Sequence, residues 1–311
     1  PSQAIDNDPR QGWVDGGFQS PWVKPYRSCL SKPDPGIDRW HSGRTKAFSI
    51  RMNSCASIDG EEILLATGTL GEFVGAASDV VVHGTYRESG TWAPELLHLL
   101  REDLLGNGGT LLDIGANIGL VAIPVSEGSA VRTFAFEPDP RNAELLRRNV
   151  ALHSLEDQIS VQEGALWSSS GEMLLQRDPQ NHGDQRLVHG QTAGHPSVTV
   201  TLARLDSLLQ PEELCAPVIA KIDTQGAEVD VLQGAGALLS RVDAAVVEVW
   251  PAGLARIGRE LGELETVLAS AFSHARLLLE GQPLWPLVPI AEEFARLAAV
   301  PTLRDKDTFF D

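Results

Sequence analysis

Residues 111–119 read Leu111-Leu112-Asp113-Ile114-Gly115-Ala116-Asn117-Ile118-Gly119. Leu111 to Ile114 is a short buried strand. It ends in a turn of small residues, and a helix opens at Gly119 and runs to Glu127. An open α/β sheet binds ligands in this place, at the carboxyl ends of its strands. Gly115 and Gly119 allow a ligand to approach the backbone. Their G-x-x-x-G spacing is not the G-x-G-x-x-G of dinucleotide binders. Asp113, on the last turn of the strand, is expected to face the crevice. An anion there opposes a pyrophosphate and favours a cationic amino group.

Outward from this turn the chain alternates. Strands are predicted at Val131 to Phe136, Ile159 to Glu163, Val218 to Ile222 and Ala244 to Val249. Asp139-Pro140 caps a helix that reaches Leu152. Further helices start at Pro94 and Ala227, and Leu254, Ile257, Leu261, Leu264 and Leu268 form one long helical stripe. Residues 164–197 are polar, with strands at Met173 to Gln176 and Val198 to Leu202. Strands separated by helices imply parallel pairing, hence a doubly wound α/β sheet.

Three more strand ends carry chemistry. Glu137 lies 22 residues after Gly115, where an acidic side chain accepts both hydroxyls of a ribose. Pro138 follows it. One carboxylate for a ribose, one for an ammonium and no phosphate cradle describe S-adenosylmethionine. Glu163-Gly164-Ala165 ends the next strand and is positioned to read an adenine edge. Lys221-Ile222-Asp223-Thr224-Gln225-Gly226-Ala227-Glu228 ends an otherwise apolar strand. Lys221 and Asp223 share one side of it, by the period of two. Glu248, in Val246 to Trp250, is either a buried acid paired with Lys221 or part of the chemistry.

The segments LLDIGANIG, FAFEPDPRNAELLRRNV, EGALWSSSGE, TLARLDSLL, KIDTQGAEVDVLQGA and VVEVWP resemble, in order and spacing, the FkbM family of S-adenosylmethionine-dependent methyltransferases. The resemblance runs from about Gly84 to Pro251. It implies a class I methyltransferase fold, Rossmann-like, with a mostly parallel seven-stranded sheet between helices. It also implies O-methylation of small molecules such as natural products or sugars, with S-adenosylhomocysteine as product. Asp113, Gly115, Ala116, Asn117 and Gly119 match the donor loop, and Glu137 the ribose acid. Asp223, Gly226 and Glu228 match the KID-x-x-GAE block. Gln225 departs from the Glu more common there, and Ala93 from the acid that commonly precedes the Pro of the first helix.

Methyl transfer to a hydroxyl needs alignment and removal of a proton. Asp223 and His182 are the candidate bases. His182 sits in the polar loop Gln180-Asn181-His182-Gly183-Asp184, which is expected to fold over the acceptor. His83 is a weaker candidate. Lys221 is expected to tune or orient its neighbours, and Glu228 completes the catalytic set. No metal site is expected. The rival readings are a nucleoside-binding protein without catalysis, an N-methyltransferase and a nicotinamide oxidoreductase.

The 311 residues carry a net charge of −17, which argues against nucleic acid as a partner. No apolar run is long enough to cross a membrane. Cys29, Cys55 and Cys215 lack the spacing of a disulfide framework or a zinc site, which fits free thiols in the cytoplasm. Residues 1–45 are expected to form an irregular arm bearing Trp13, Trp22 and Trp40, able to bridge a homo-oligomer. Residues 46–90 form a small β-rich segment, with a strand at Asp79 to His83 and a loop from Gly84 to Gly90. Residues 91–311 are the S-adenosylmethionine-binding domain.

Overall fold

The computed structural model describes residues 54–58, 60–190, 194–279, 282 and 284–299. The expected arm, residues 1–45, and the alternation at Phe48 to Met52 lie outside them. The described chain opens with an antiparallel meander, β1 (Ser54–Ile58), β2 (Glu61–Gly68) and β3 (Gly71–Ala76).

The run Val80-Val81-Val82 has the composition of a strand, yet α1 (Val82–Ser89) begins there. Asp79 decides this. Its buried carboxylate accepts from the N–H groups of Val81, Val82 and His83 at 3.2, 3.1 and 3.0 Å. Those are the donors a helix start leaves unsatisfied, so the side-chain cap overrides β propensity. The expected strand at 79–83 and loop at 84–90 are therefore corrected to a capped helix.

Next come α2 (Pro94–His98), continued by a wider turn over Leu99–Leu104, then β4 (Gly109–Ile114), α3 (Ala122–Ser126) and β5 (Val131–Glu137). Helix α4 (Pro140–Leu152) starts where Asp139 accepts from the Arg141 N–H at 2.8 Å. Strand β6 (Ile159–Glu163) follows. A second sheet holds β7 (Ala165–Leu166), β8 (Gly171–Gln176), β9 (Arg186–Val188) and β10 (Ser197–Ala203), in the order β7-β10-β8-β9. Then come α5 (Leu205–Leu208), β11 (Val218–Ile222), α6 (Glu228–Ala235), β12 (Ala244–Val247) and α7 (Pro251–Arg256). Last are α8 (Leu261–Ala271), β13 (His274–Ala275), β14 (Val288–Pro289) and α9 (Ile290–Ala299).

The main sheet is parallel, in the order β12-β11-β4-β5-β6. From β4 the chain winds one way through β5 and β6, then returns to build β11 and β12 on the other side. The switch point is the gap between β4 and β11. Leu111, Val131 and Ile219 pack on one face with Leu97, Leu100, Val121 and Val125. Leu112, Phe134, Ala220 and Ile222 pack on the other with Leu232 and Leu264. Period-two burial on both faces produces the doubly wound α/β architecture.

Three expectations change in detail. Among the described residues the main sheet has five strands, where seven were expected. The strands after α8, β13 and β14, pair with each other. The long stripe from Leu254 to Leu268 is two helices, because Gly258 turns left-handed at φ +80° and Glu260 caps a new start. The helix expected from Gly119 is regular only over α3.

Candidate active site

A cavity of about 730 Å³ opens at the carboxyl ends of the parallel strands, over the switch point. Its floor is made by the turns after β4, β5, β6, β11 and β12. Helices α1, α2, α8 and α9 and the loop around His182 supply walls.

The turn after β4 is held against its neighbours by backbone. Gly115 and Ala116 both donate to the Phe136 carbonyl at 3.0 Å. Gly115 has φ +82°, and a Cβ there would lie 1.8 Å from the Asp223 carbonyl oxygen. Only glycine fits between the ends of β4 and β11. Asn117, at φ +49°, donates its N–H to Glu137 Oε2 at 2.8 Å. Among the described residues its buried Oδ1 has no partner.

Glu137 is 4% exposed and lines the cavity. Its Oε1 accepts from the Asp139 N–H at 2.9 Å. Burial pushes its carboxyl up to about 8, against the N–H bonds from Asp139 and Asn117. Both oxygens are thus fixed by backbone N–H groups beside an open cavity, a geometry that can accept hydroxyls. Pro138, Gly164 and Ala165 continue the same wall.

At the other end, Lys221 Nζ donates to the Gly115 carbonyl at 2.7 Å and lies 3.2 Å from Asp113 Oδ1 and 3.7 Å from Asp223 Oδ2. Asp113 and Lys221 are register partners in the β4–β11 ladder. Burial opposes the charge on Lys221, but Asp113, Asp223 and Glu137 together hold its ammonium above the usual range. Gln225 Nε2 bridges two carboxylates, Asp223 Oδ1 at 2.9 Å and Glu248 Oε1 at 3.3 Å. The departure at 225 thus places a neutral donor between two acids.

The structure brings Gly115, Ala116, Asn117, Glu137, Pro138, Gly164, Ala165, His182, Lys221 and Asp223 to one cavity. Four predicted residues lie elsewhere. Asp113 does not face the crevice; it is fully buried under the turn beside Lys221. Gly119 serves packing, since a Cβ there would meet Leu146 Cδ1 at 2.7 Å. Glu163 turns outward to Arg147 at 3.0 Å. Glu228 is fully buried and ties the turn before α6, accepting from Thr224 N–H, Thr224 Oγ1 and Gly226 N–H at 3.1, 2.9 and 3.1 Å. Glu248 lines the cavity and is bound to Gln225.

His182 is buried rather than solvated, at 3% exposure. Its carbonyl accepts from Asn117 Nδ2 at 3.3 Å and Asn142 Nδ2 at 2.9 Å, so the loop closes on the turn after β4. Its ring Nε2 lies 3.1 Å from Ser78 Oγ, which also bonds Glu61. His83 packs on Gly75 away from the cavity. Ala93 lines the cavity at φ +39°, just before Pro94.

The cavity also contains apolar residues that sequence reading does not place at a site. Leu268 in α8, Leu277 after β13, and Phe294 and Leu297 in α9 are wall residues. Helical periodicity identifies an apolar face but not whether that face meets a helix or a void.

The chain matches the Methyltransferase FkbM domain over residues 113–280, more than half its length. It belongs to the FkbM methyltransferases. Its methyl donor is S-adenosylmethionine, and Glu137 and the turn after β4 fit a nucleoside with an extended tail. The hexuronic acid methyltransferase AglP of Haloferax volcanii is 32% identical over 139 residues, covering 45% of this chain and 55% of that protein. The chain thus spans about half the length of that relative. Methyltransferase sdnD of Sordaria araneosa is 28% identical, covering 46% of this chain and 68% of that protein. A solved precorrin-6y C5,15-methyltransferase from Geobacter metallireducens is 12% identical, with a TM-score of 0.34 over 63% of this chain and 82% of that one. No helix among the described residues is long and apolar enough to cross a membrane.

Proposed function

We propose that this FkbM methyltransferase methylates a hydroxyl oxygen of a small molecule, a natural product or a sugar, in the cytoplasm. One observation carries the reading. A single cavity holds a ribose-type carboxyl, Glu137, at one end and two further carboxyls, Asp223 and Glu248, at the other. S-adenosylmethionine supplies a methyl group on a positively charged sulfur. Glu137 receives the ribose hydroxyls, Gly115 to Asn117 line the amino-acid tail, and Pro138, Gly164 and Ala165 flank the base. Asp223 and Glu248 stand where an acceptor's proton must go. Lys221 is a positioning residue that keeps Asp223 and the turn after β4 in register.

The acceptor end has mostly apolar walls, including Leu175, Leu187, Leu268, Leu277, Phe294 and Leu297. These favour an acceptor with an apolar body and few polar groups over nucleic acid. Arg276 is the exposed cation of the wall. The archaeal relative is named for a hexuronic acid, so carboxylated sugars belong in any acceptor panel.

Thermal unfolding with S-adenosylmethionine, S-adenosylhomocysteine and NAD tests the donor half. A ligand at a hundred times its Kd adds about 2.7 kcal/mol. Stabilisation by both sulfur nucleosides and not by NAD is expected, and Glu137→Ala removes it. No stabilisation of folded protein by either sulfur nucleoside sinks the reading. Tritiated donor offered to hexuronic acids, polyketide-like alcohols and amino sugars that bear both hydroxyl and amine tests the acceptor half. A label recovered on nitrogen instead of oxygen overturns the O-methyl assignment.

A further inference from the structure

Glu248 is placed unlike the other acids of the sheet. It follows β12, and its N–H donates to the Ile222 carbonyl at 2.8 Å, which keeps it in line with the end of β11. Its side chain lines the cavity. One oxygen accepts from Gln225; the other is shut off from solvent and has no hydrogen-bond partner among the described residues. The charged groups facing it are Lys221 from β11, Asp223 from the turn after it and Glu228 at the start of α6. Glu293 of α9 and Arg276 after β13 line the same cavity. Burial first, then Asp223 and Glu228, push its carboxyl well above the usual range, against Lys221. Asp223 and Glu248 share the one amide N of Gln225 as their donor, so neither has that N–H bond to itself.

The donor brings a positive charge to this end. With Glu137 on β5 and the turn after β4 as the nucleoside half, the reacting end extends over β11 and β12. Adjacent strands are about 4.8 Å apart, so β12 lies about 10 Å across the sheet from β4. A cation arriving over these strand ends favours the ionised form of a nearby carboxyl.

We propose that Glu248 is a proton-linked sensor of the donor's charge: it releases its proton when S-adenosylmethionine binds and keeps it when the neutral S-adenosylhomocysteine binds. This rests on the methyltransferase reading of the cavity. Its use is timing. Glu248 adds its carboxylate to the acceptor end only while a methyl group is on offer. In the transfer the acceptor O–H bond breaks and its proton goes to Glu248. The O–CH₃ bond forms as the C–S bond breaks, and that bond's electron pair returns to sulfur. The product complex then holds neutral sulfur beside a protonated Glu248, the state that the free protein also favours.

The experiment is isothermal calorimetry of both nucleosides in buffers of different ionisation enthalpy near neutral pH, which counts protons released per binding event. Glu137 meets the same ribose in both ligands, so its contribution cancels in the difference. Wild type is expected to release more protons with S-adenosylmethionine than with S-adenosylhomocysteine, by up to one. Glu248→Gln abolishes that difference while binding both nucleosides. Glu248→Asp, which retains an ionisable group, keeps a difference and guards against a folding defect in the first variant. Equal release in wild type, or a difference that survives Glu248→Gln, overturns the proposal. Failure of either nucleoside to bind instead overturns the methyltransferase reading beneath it.

Discussion

A Cβ on Gly115 would lie 1.8 Å from the backbone oxygen of Asp223. The end of β4 therefore meets the end of β11 main chain against main chain. The Lys221 ammonium fastens the contact by reaching the Gly115 carbonyl at 2.7 Å. Gly115→Ala must push the strand ends apart and hold alanine at a left-handed φ. A loss of at least about 2 kcal/mol is expected. Urea denaturation measures that loss, and calorimetry with S-adenosylhomocysteine should show weakened binding even where the variant folds.

Glu137 links donor binding to pH. Its folded carboxyl titrates near 8, against an ordinary value of 4.5. Between those values the folded protein holds a proton that the unfolded chain has lost. The contribution of Glu137 to stability therefore falls as pH rises through that window. Glu137→Gln should flatten part of the fall in unfolding free energy between pH 5 and pH 8. A ribose needs the ionised carboxylate as acceptor, so S-adenosylhomocysteine affinity should rise as pH approaches and passes 8. A pH-independent affinity contradicts the assignment.

Lys221 and Asp113 form a buried pair at 3.2 Å. Removing one partner of such a pair leaves a buried charge without compensation, at a cost of about 3–5 kcal/mol. Lys221→Met is expected to fall in that range. The double change Lys221→Met with Asp113→Leu should recover part of it, because an apolar pair of similar volume avoids the orphaned charge. Denaturation of the two single variants and the double variant measures the coupling.

Glu163 gives the opposite case. Its carboxylate and Arg147 are both substantially exposed, at 36% and 40%. Surface pairs are worth about 0–1 kcal/mol. Glu163→Ala should change stability by less than that and leave nucleoside affinity unchanged. A large loss of affinity would place Glu163 back among the donor contacts.

The parallel core was legible because its signals are local. Val218 to Ile222 and Ile159 to Glu163 match their predicted bounds, and Asp139-Pro140 starts α4 as expected. Spacing puts Glu137 at the end of the strand after the glycine turn, and it lines the cavity there. Asp113 was not legible in this way, because whether a strand-end carboxylate faces a crevice or a lysine depends on the partner strand. Lys221 lies 108 positions away in sequence and becomes its neighbour only through β4–β11 register. The capped start of α1 was hidden by the β-branched run beside it, although Asp79 itself was the available signal. His182 lines the cavity from the loop in which the sequence places it. The contact it makes with Asn117 and Asn142 runs through its carbonyl, which side-chain identity cannot reveal.

Helices α8 and α9 add walls to the cavity without adding a rung to the parallel ladder. Leu268, Leu277, Phe294 and Leu297 share no hydrogen bond with the turns that carry Gly115 and Glu137. They meet those turns through packing alone, in one buried cluster with Ile114, Phe136 and Ile222. For an engineer, the far wall is therefore reshaped by changes of side-chain volume that the sheet's own core must absorb.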